Sequence, residues 1–179
     1  MGSLLVVTGP PGSGKSTVSK LLIQQTGPSA LVEGDRFFAF LARDAIEPWL
    51  PESHEQNAVV VDAAAAATGR FTDGGFFTVY DGVVGPWFID AFASAAGATE
   101  LDYVVLMPDV ETCVERVLSR SGHGFRDEAA ARKMHAEFAT AVVEPRHVLS
   151  IGSESAAKVV DLIAAAAEAG DLRYSPTTG

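Results

Sequence analysis

Short apolar runs punctuate this chain, and longer segments with apolar residues three or four apart fill the gaps between them. Residues 4–8, Leu-Leu-Val-Val-Thr, have no polar side chain before the closing threonine, which predicts a buried strand. Val18, Leu21 and Leu22 recur at helical spacing, so a helix is expected from Gly14 to about Thr26. The same pattern predicts strands at 30–33, 76–80, 103–107 and about 147–150. It predicts helices over about 38–45, 55–67, 87–96, 110–119, 128–143 and 154–169. The breakers agree with these boundaries. Pro48 and Pro51 separate two helices, Asp73-Gly74-Gly75 turns into the third strand, and Pro108-Asp109 opens a helix. Pro145 ends another, Gly170 stops the last, and Ser153 is the expected cap of that last helix. Five short strands alternating with helices imply an α/β fold, a parallel sheet covered on both faces. Ligands of such sheets bind beyond the carboxyl ends of the strands, so those positions carry the functional reading.

After the first strand stands Gly9-Pro10-Pro11-Gly12-Ser13-Gly14-Lys15-Ser16-Thr17, a complete G-x-x-x-x-G-K-[ST] phosphate loop in its strand–loop–helix context. Glycines let the backbone turn tightly and approach a phosphate closely. The loop amides and the helix N-terminus then favour the anion. Lys15 is placed to reach the β- and γ-phosphates, and the Ser16 hydroxyl to ligate Mg²⁺. Thr17 is assigned to the α-phosphate. Gly9, Gly12, Ser13, Gly14, Lys15, Ser16 and Thr17 form the expected ATP/ADP cradle.

Glu33-Gly34-Asp35-Arg36 follows the second strand. Side chains two apart on an extended segment point the same way, so one or both carboxylates would face the site. Asp35 is the favoured base for the proton of an acceptor hydroxyl, with Glu33 as a further Mg²⁺ partner. The alternative for Asp35 is a helix cap. The third strand runs into Asp81-Gly82-Val83-Val84-Gly85-Pro86-Trp87, where Asp81 is the candidate acid for Mg²⁺ or its water. Gly82 would let the backbone approach a substrate, and Trp87 is either a substrate wall or core. After the helix at 110–119 comes Arg120-Ser121-Gly122-His123-Gly124-Phe125-Arg126. This arginine-flanked, glycine-rich stretch reads as a lid over about 120–132. Arg126 is assigned to the γ-phosphate and Arg120 to the other phosphates or the base, where arginines stabilise charge developing in transfer. Arg116 reads equally as a site residue and as a surface arginine. Arg36 and Arg43 are candidates for an acidic group on the acceptor, and Phe37, Phe38, Trp49 and Trp87 for an apolar wall.

Composition narrows the options. With 13 basic and 23 acidic residues the net charge is −10, which disfavours long nucleic acid and anionic membranes as partners. Against that background Arg116, Arg120, Arg126, Arg132 and Lys133 cluster, which suggests a specific small anion. One cysteine, Cys113, permits no internal disulfide and no cysteine zinc cluster. No run approaches the about 18 apolar residues of a membrane span, and no secretion signal is visible, so the expected location is cytoplasmic.

With these motifs in place the chain resembles small P-loop kinases with an arginine lid. The group includes gluconate kinases, shikimate kinases, the chloramphenicol phosphotransferase family and the kinase domain of polynucleotide kinases. Glu33-Gly34-Asp35 resembles the acidic triplet that gluconate kinases carry after strand two. Arg120-Ser121-Gly122-His123 is similar to their lid start, and residues 81–88 resemble a motif of AAA-type ATP-binding proteins. The resemblance implies a three-layer αβα P-loop NTPase sandwich of strand order 2-3-1-4-5, with the lid between strands four and five; the length of 179 residues predicts that residues 1–179 form one domain. The resemblance further implies ATP and Mg²⁺ as cofactors, and a monomer or homodimer acting on a small-molecule hydroxyl. Arg36-Phe37-Phe38 stands where gluconate kinases have Leu-His-Pro, and Asp81-Gly82-Val83 where shikimate kinases have three glycines, so only the reaction type transfers. A nucleotide or polynucleotide 5′-hydroxyl kinase and a non-catalytic ATP-binding switch are the alternatives.

Overall fold

The computed structural model of the protein describes residues 2–25, 27–119 and 125–176. Its first strand, β1 (Leu4–Thr8), is buried along its whole length. Leu4 and Val6 face one side of the sheet and Leu5 and Val7 the other, each joining a different core cluster. That two-sided burial is why the run carries no alternation. Helix α1 (Lys15–Leu22) packs Val18 and Leu22 on the Leu5–Val7 face. It ends earlier than the expected Thr26.

The remaining strands are β2 (Ser29–Glu33), β3 (Phe77–Asp81), β4 (Leu101–Pro108) and β5 (Val148–Ile151). They pair in parallel in the order β2-β3-β1-β4-β5, as the resemblance implies. Helix α3 (His54–Asp73) and helix α4 (Ile89–Ala95) cover one face through Val61, Ala64, Ala65 and Phe92. Helix α7 (Ala156–Ala169) covers the other with α1, through Val159, Val160 and Ile163. Helix α5 (Val110–Ser119) and helix α6 (Glu128–Thr140) pair with each other, joined by Val114, Val117 and Ala131. A further short strand, β6 (Arg173–Tyr174), runs antiparallel on β4 and has no counterpart in the expected pattern.

Three local expectations fail for identifiable reasons. No helix spans 38–45; only a four-residue helix α2 (Asp35–Phe38) forms, ahead of an irregular segment. Side chains of the α3 start satisfy that segment's backbone instead. Gln56 bonds Ile46 through both its N–H (2.8 Å) and its C=O (2.7 Å), and Asn57 and Ser53 both donate to Pro48 O. Asp44 also takes a positive φ of 53°, which breaks a right-handed helix. The last helix is capped by Ser155, whose side chain accepts from Lys158 N–H, and not by Ser153. Finally, Trp87 and Phe88 precede α4 rather than opening it, which leaves Trp87 in a loop.

Candidate functional site

The loop between β1 and α1 owes its shape to glycines. Gly9, Gly12 and Gly14 all have positive φ (144°, 85° and 93°). At Gly9 and Gly12 there is a second reason. A Cβ on Gly12 would lie 2.2 Å from the Cys113 carbonyl oxygen, and one on Gly9 2.3 Å from that of Leu106. The loop therefore rests directly on the end of β4 and the start of α5. Asp109 fixes that helix start, accepting from the Thr112 N–H (2.8 Å) and hydroxyl (2.7 Å). From the same helix Arg116 donates to Gly12 O at 3.3 Å, so it belongs to the loop's surroundings and not to the open surface. Within the loop Ser13 is buried, with no hydrogen-bond partner for its Oγ among the described residues. Gly14 takes the N-cap position of α1, Lys15 is 8% exposed, Ser16 half-buried and Thr17 exposed.

Parallel pairing brings the acids to this loop. Asp81 sits opposite Val7 in β1 and opposite Glu33 in β2. It is the last residue of β3 and 5% exposed. Its Oδ1 has no hydrogen-bond partner among the described residues. Burial pushes its pKa up, and the charges of Asp35 and Glu33 add to this; Lys15 and a hydrogen bond from Ser16 oppose it. A buried, partly unsatisfied carboxylate beside a hydroxyl suits Mg²⁺, which keeps several waters and takes the rest of its shell from phosphate oxygens. No group of three or more His, Cys, Asp or Glu able to hold a metal occurs among the described residues.

Glu33 and Asp35 do not point the same way. The strand ends at Glu33, and Gly34 is already right-handed helical (φ −58°, ψ −37°), so Asp35 lies outside the extended backbone on which side chains alternate. Glu33 pairs with Lys20 at 3.3 Å and with Arg36. The Arg36 hydrogen bond, with Lys20 adding to it, holds the Glu33 carboxyl below the usual range. Asp35 instead joins Lys15 on the wall of a cavity of about 650 Å³. Arg36 is thereby committed to Glu33, and neither it nor the exposed Arg43 lines the cavity.

The loop after β3 is held by the end of β1. Thr8 Oγ1 accepts from Val84 N–H at 2.9 Å, and the Tyr103 hydroxyl donates to Val84 O at 2.9 Å. Gly82 is buried against Tyr80: a Cβ there would lie 2.7 Å from the phenol ring. Its glycine makes room for Tyr80 and gives the cavity no wall. Trp87 does line the cavity, 43% exposed, with its ring 5.2 Å from Phe138. Phe38 and Trp49 line it too, whereas Phe37 packs on the core.

Several lining residues escaped the sequence reading. Met134, Glu137 and Ala141 share one face at helical spacing, although Ala141 stands just past the end of α6. His54 and Asn57 come from the start of α3, and Phe125 from the approach to α6. The basic cluster also changes meaning. Arg132 bonds Glu111 (2.7 and 2.9 Å) and Glu128 (2.9 Å), and so ties α5 to α6. Lys133 reaches Trp49 O at 3.4 Å and Glu137 at 4.0 Å. Arg126 is exposed beside Phe125, while Arg120 lies outside the described residues, as do Gly122 and Gly124 of the expected lid.

A family model described as an AAA domain matches residues 4–145. No curated protein matches the chain in sequence. Among solved structures, a sugar kinase from Janibacter sp. HTCC2649 aligns at 19% identity with a TM-score of 0.72, over 94% of this chain and 95% of that one. A gluconokinase from Sinorhizobium meliloti 1021 aligns at 21% and 0.62, over 94% and 92%. The APS kinase CysC of Mycobacterium tuberculosis, in complex with AMPPNP and APS, aligns at 17% and 0.68, over 93% and 98%. At these identities the likeness establishes a shared fold.

Proposed function

Because this chain belongs to the AAA domain family, we propose that it is an ATP-dependent phosphotransferase that moves the γ-phosphate of ATP to a hydroxyl of a small molecule. The observation that carries this reading is that Lys15 and Asp35 line the same cavity. A cation for the phosphate and a base for the acceptor thus open on one space. The small-molecule kinases that share the fold lend support.

Each role follows from a residue's chemistry. The loop amides and Lys15 hold the phosphates, and Lys15 balances charge that grows on the β–γ bridging oxygen as the bond breaks. Ser16 and Asp81 would hold Mg²⁺, which supplies charge neutralisation across the phosphates. Asp35 accepts the acceptor's hydroxyl proton as its oxygen bonds to the γ-phosphorus. Arg116 steadies the loop through Gly12 O. Arg126, and Arg120 beyond the described residues, are the candidate cations for the equatorial oxygens.

ATP with Mg²⁺ should raise the melting temperature, because a ligand at 100 times its Kd stabilises by about 2.7 kcal/mol. Scanning fluorimetry checks this, and no shift at millimolar ATP with Mg²⁺ would remove the proposal. The shift should also depend on pH. Since folding raises the Asp81 pKa, the unligated fold gains from this group below its unfolded pKa. That gain is lost as pH rises through the raised value. A cation bound beside Asp81 needs the ionised form. The Mg²⁺-dependent part of the shift should therefore shrink as pH falls through that window, and Asp81→Asn should flatten the profile. A constant Mg²⁺ effect across the window in the unaltered protein would place the cation elsewhere.

A further inference from the structure

The cavity that holds Lys15 and Asp35 is lined largely by apolar side chains, among them Trp49, Leu50, Val83, Trp87, Phe88 and Phe125. Its rings are braced against one another or against the core. Trp49 meets Phe125 edge-on at 4.8 Å, His54 stacks on Phe88 at 5.3 Å, and Trp87 leans on Phe138 at 5.2 Å. Yet Trp87 and Leu50 remain 43% and 39% exposed, so apolar surface faces the space. Its volume of about 650 Å³ lies within the range of drug-sized ligand sites.

The polar groups on the wall are mostly committed to the protein. Lys133 is shared between Glu137 and Trp49 O. Asn57 Nδ2 is held by Pro48 O (2.7 Å) and Ser53 Oγ (2.9 Å), while its Oδ1 is buried with no hydrogen-bond partner among the described residues. Apart from Lys15, whose partner is the phosphate, Lys133 is the one Lys or Arg among the described lining residues. Among the described lining residues, an acceptor bearing a carboxylate or phosphate would meet the acids Asp35 and Glu137, and a lysine, Lys133, that already contacts Glu137 and Trp49 O. A polyol would leave several hydroxyls against hydrocarbon, each unmet one costing roughly tenfold or more in affinity.

Resting on the phosphotransfer reading above, we infer that the acceptor is a compact apolar alcohol, with an aromatic or alicyclic body and a hydroxyl presented to Asp35, and not a free sugar, sugar acid or nucleotide. In the transfer the alcohol O–H bond breaks, with its proton going to the Asp35 carboxylate. The oxygen bonds to the γ-phosphorus, and the bridging P–O bond breaks with its electron pair leaving on ADP.

The chain's two tryptophans, Trp49 and Trp87, both line the cavity, so intrinsic fluorescence reports its occupancy. The full chain with AMPPNP and Mg²⁺ is titrated with 3-phenylpropan-1-ol and 3-cyclohexylpropan-1-ol, and separately with D-glucose, D-gluconate and uridine. The alcohols should give a saturable change and the polar compounds none. Leu50→Gln, at an exposed position that leaves the fold intact, should weaken the alcohols about tenfold. A saturable response to gluconate, glucose or uridine, or none to either alcohol, overturns the acceptor class. The melting shift with ATP and Mg²⁺ is read on the same sample. If it persists, only the acceptor class has failed; if it is absent, the phosphotransfer reading has failed.

Discussion

Lys15→Ala should abolish phosphotransfer, lowering turnover by about 10³-fold or more, the scale on which fixed charges act in phosphoryl transfer. The side chain lies outside both large core clusters, so the protein should still fold cooperatively. What is lost is the one cation that the phosphate loop itself brings to the cavity. Coupled ADP release, compared with far-UV circular dichroism, separates lost chemistry from lost fold. Near-normal ADP production by the folded variant would mean that the loop does not hold a reacting phosphate.

The second large effect belongs to Asp35. Asp35→Asn is isosteric, leaves the phosphate loop untouched, and should therefore keep ATP affinity. It should lower transfer by about 10²–10⁴-fold, the usual worth of a positioned base. Isothermal titration with AMPPNP checks the first half, and single-turnover transfer to an accepted alcohol the second. A protein that only switches partners on nucleotide binding would show no such split. Should transfer survive intact, the proton must leave by another route. Glu33 is a poor substitute, because Lys20 and Arg36 hold its carboxylate.

The sequence was most informative where one local rule acts alone. The β1 run, the phosphate loop and the α5 start at Asp109 each follow from residues adjacent in the chain, and each stands where the pattern put it. The position of Asp81 was legible, because an apolar strand next to the phosphate-loop strand delivers its last residue to that loop. The failures lie where distant side chains replace local hydrogen bonds. Nothing near Ile46 says that Gln56 will satisfy its backbone, so the expected helix at 38–45 gives way to a cavity wall. Glu33 and Asp35 diverge because Gly34 turns helical one residue after the strand, a choice stabilised by Gly34 N–H donating to Asp81 O at 2.8 Å. Gly82 had a substrate to approach in the sequence and has Tyr80 to accommodate in the fold. The α6 wall was invisible for another reason: Met134 and Glu137 acquire a role only once α6 lies across from Trp49.

The fate of the γ-phosphate decides whether this protein is a phosphotransferase. Phosphorus NMR of the protein with ATP, Mg²⁺ and a cavity-matched alcohol such as 3-phenylpropan-1-ol, beside a small-molecule cell extract, follows it directly. A phosphotransferase gives a new phosphomonoester signal growing in step with ADP, absent with Lys15→Ala. ADP accompanied only by inorganic phosphate, or no turnover while ATP remains bound, would contradict it.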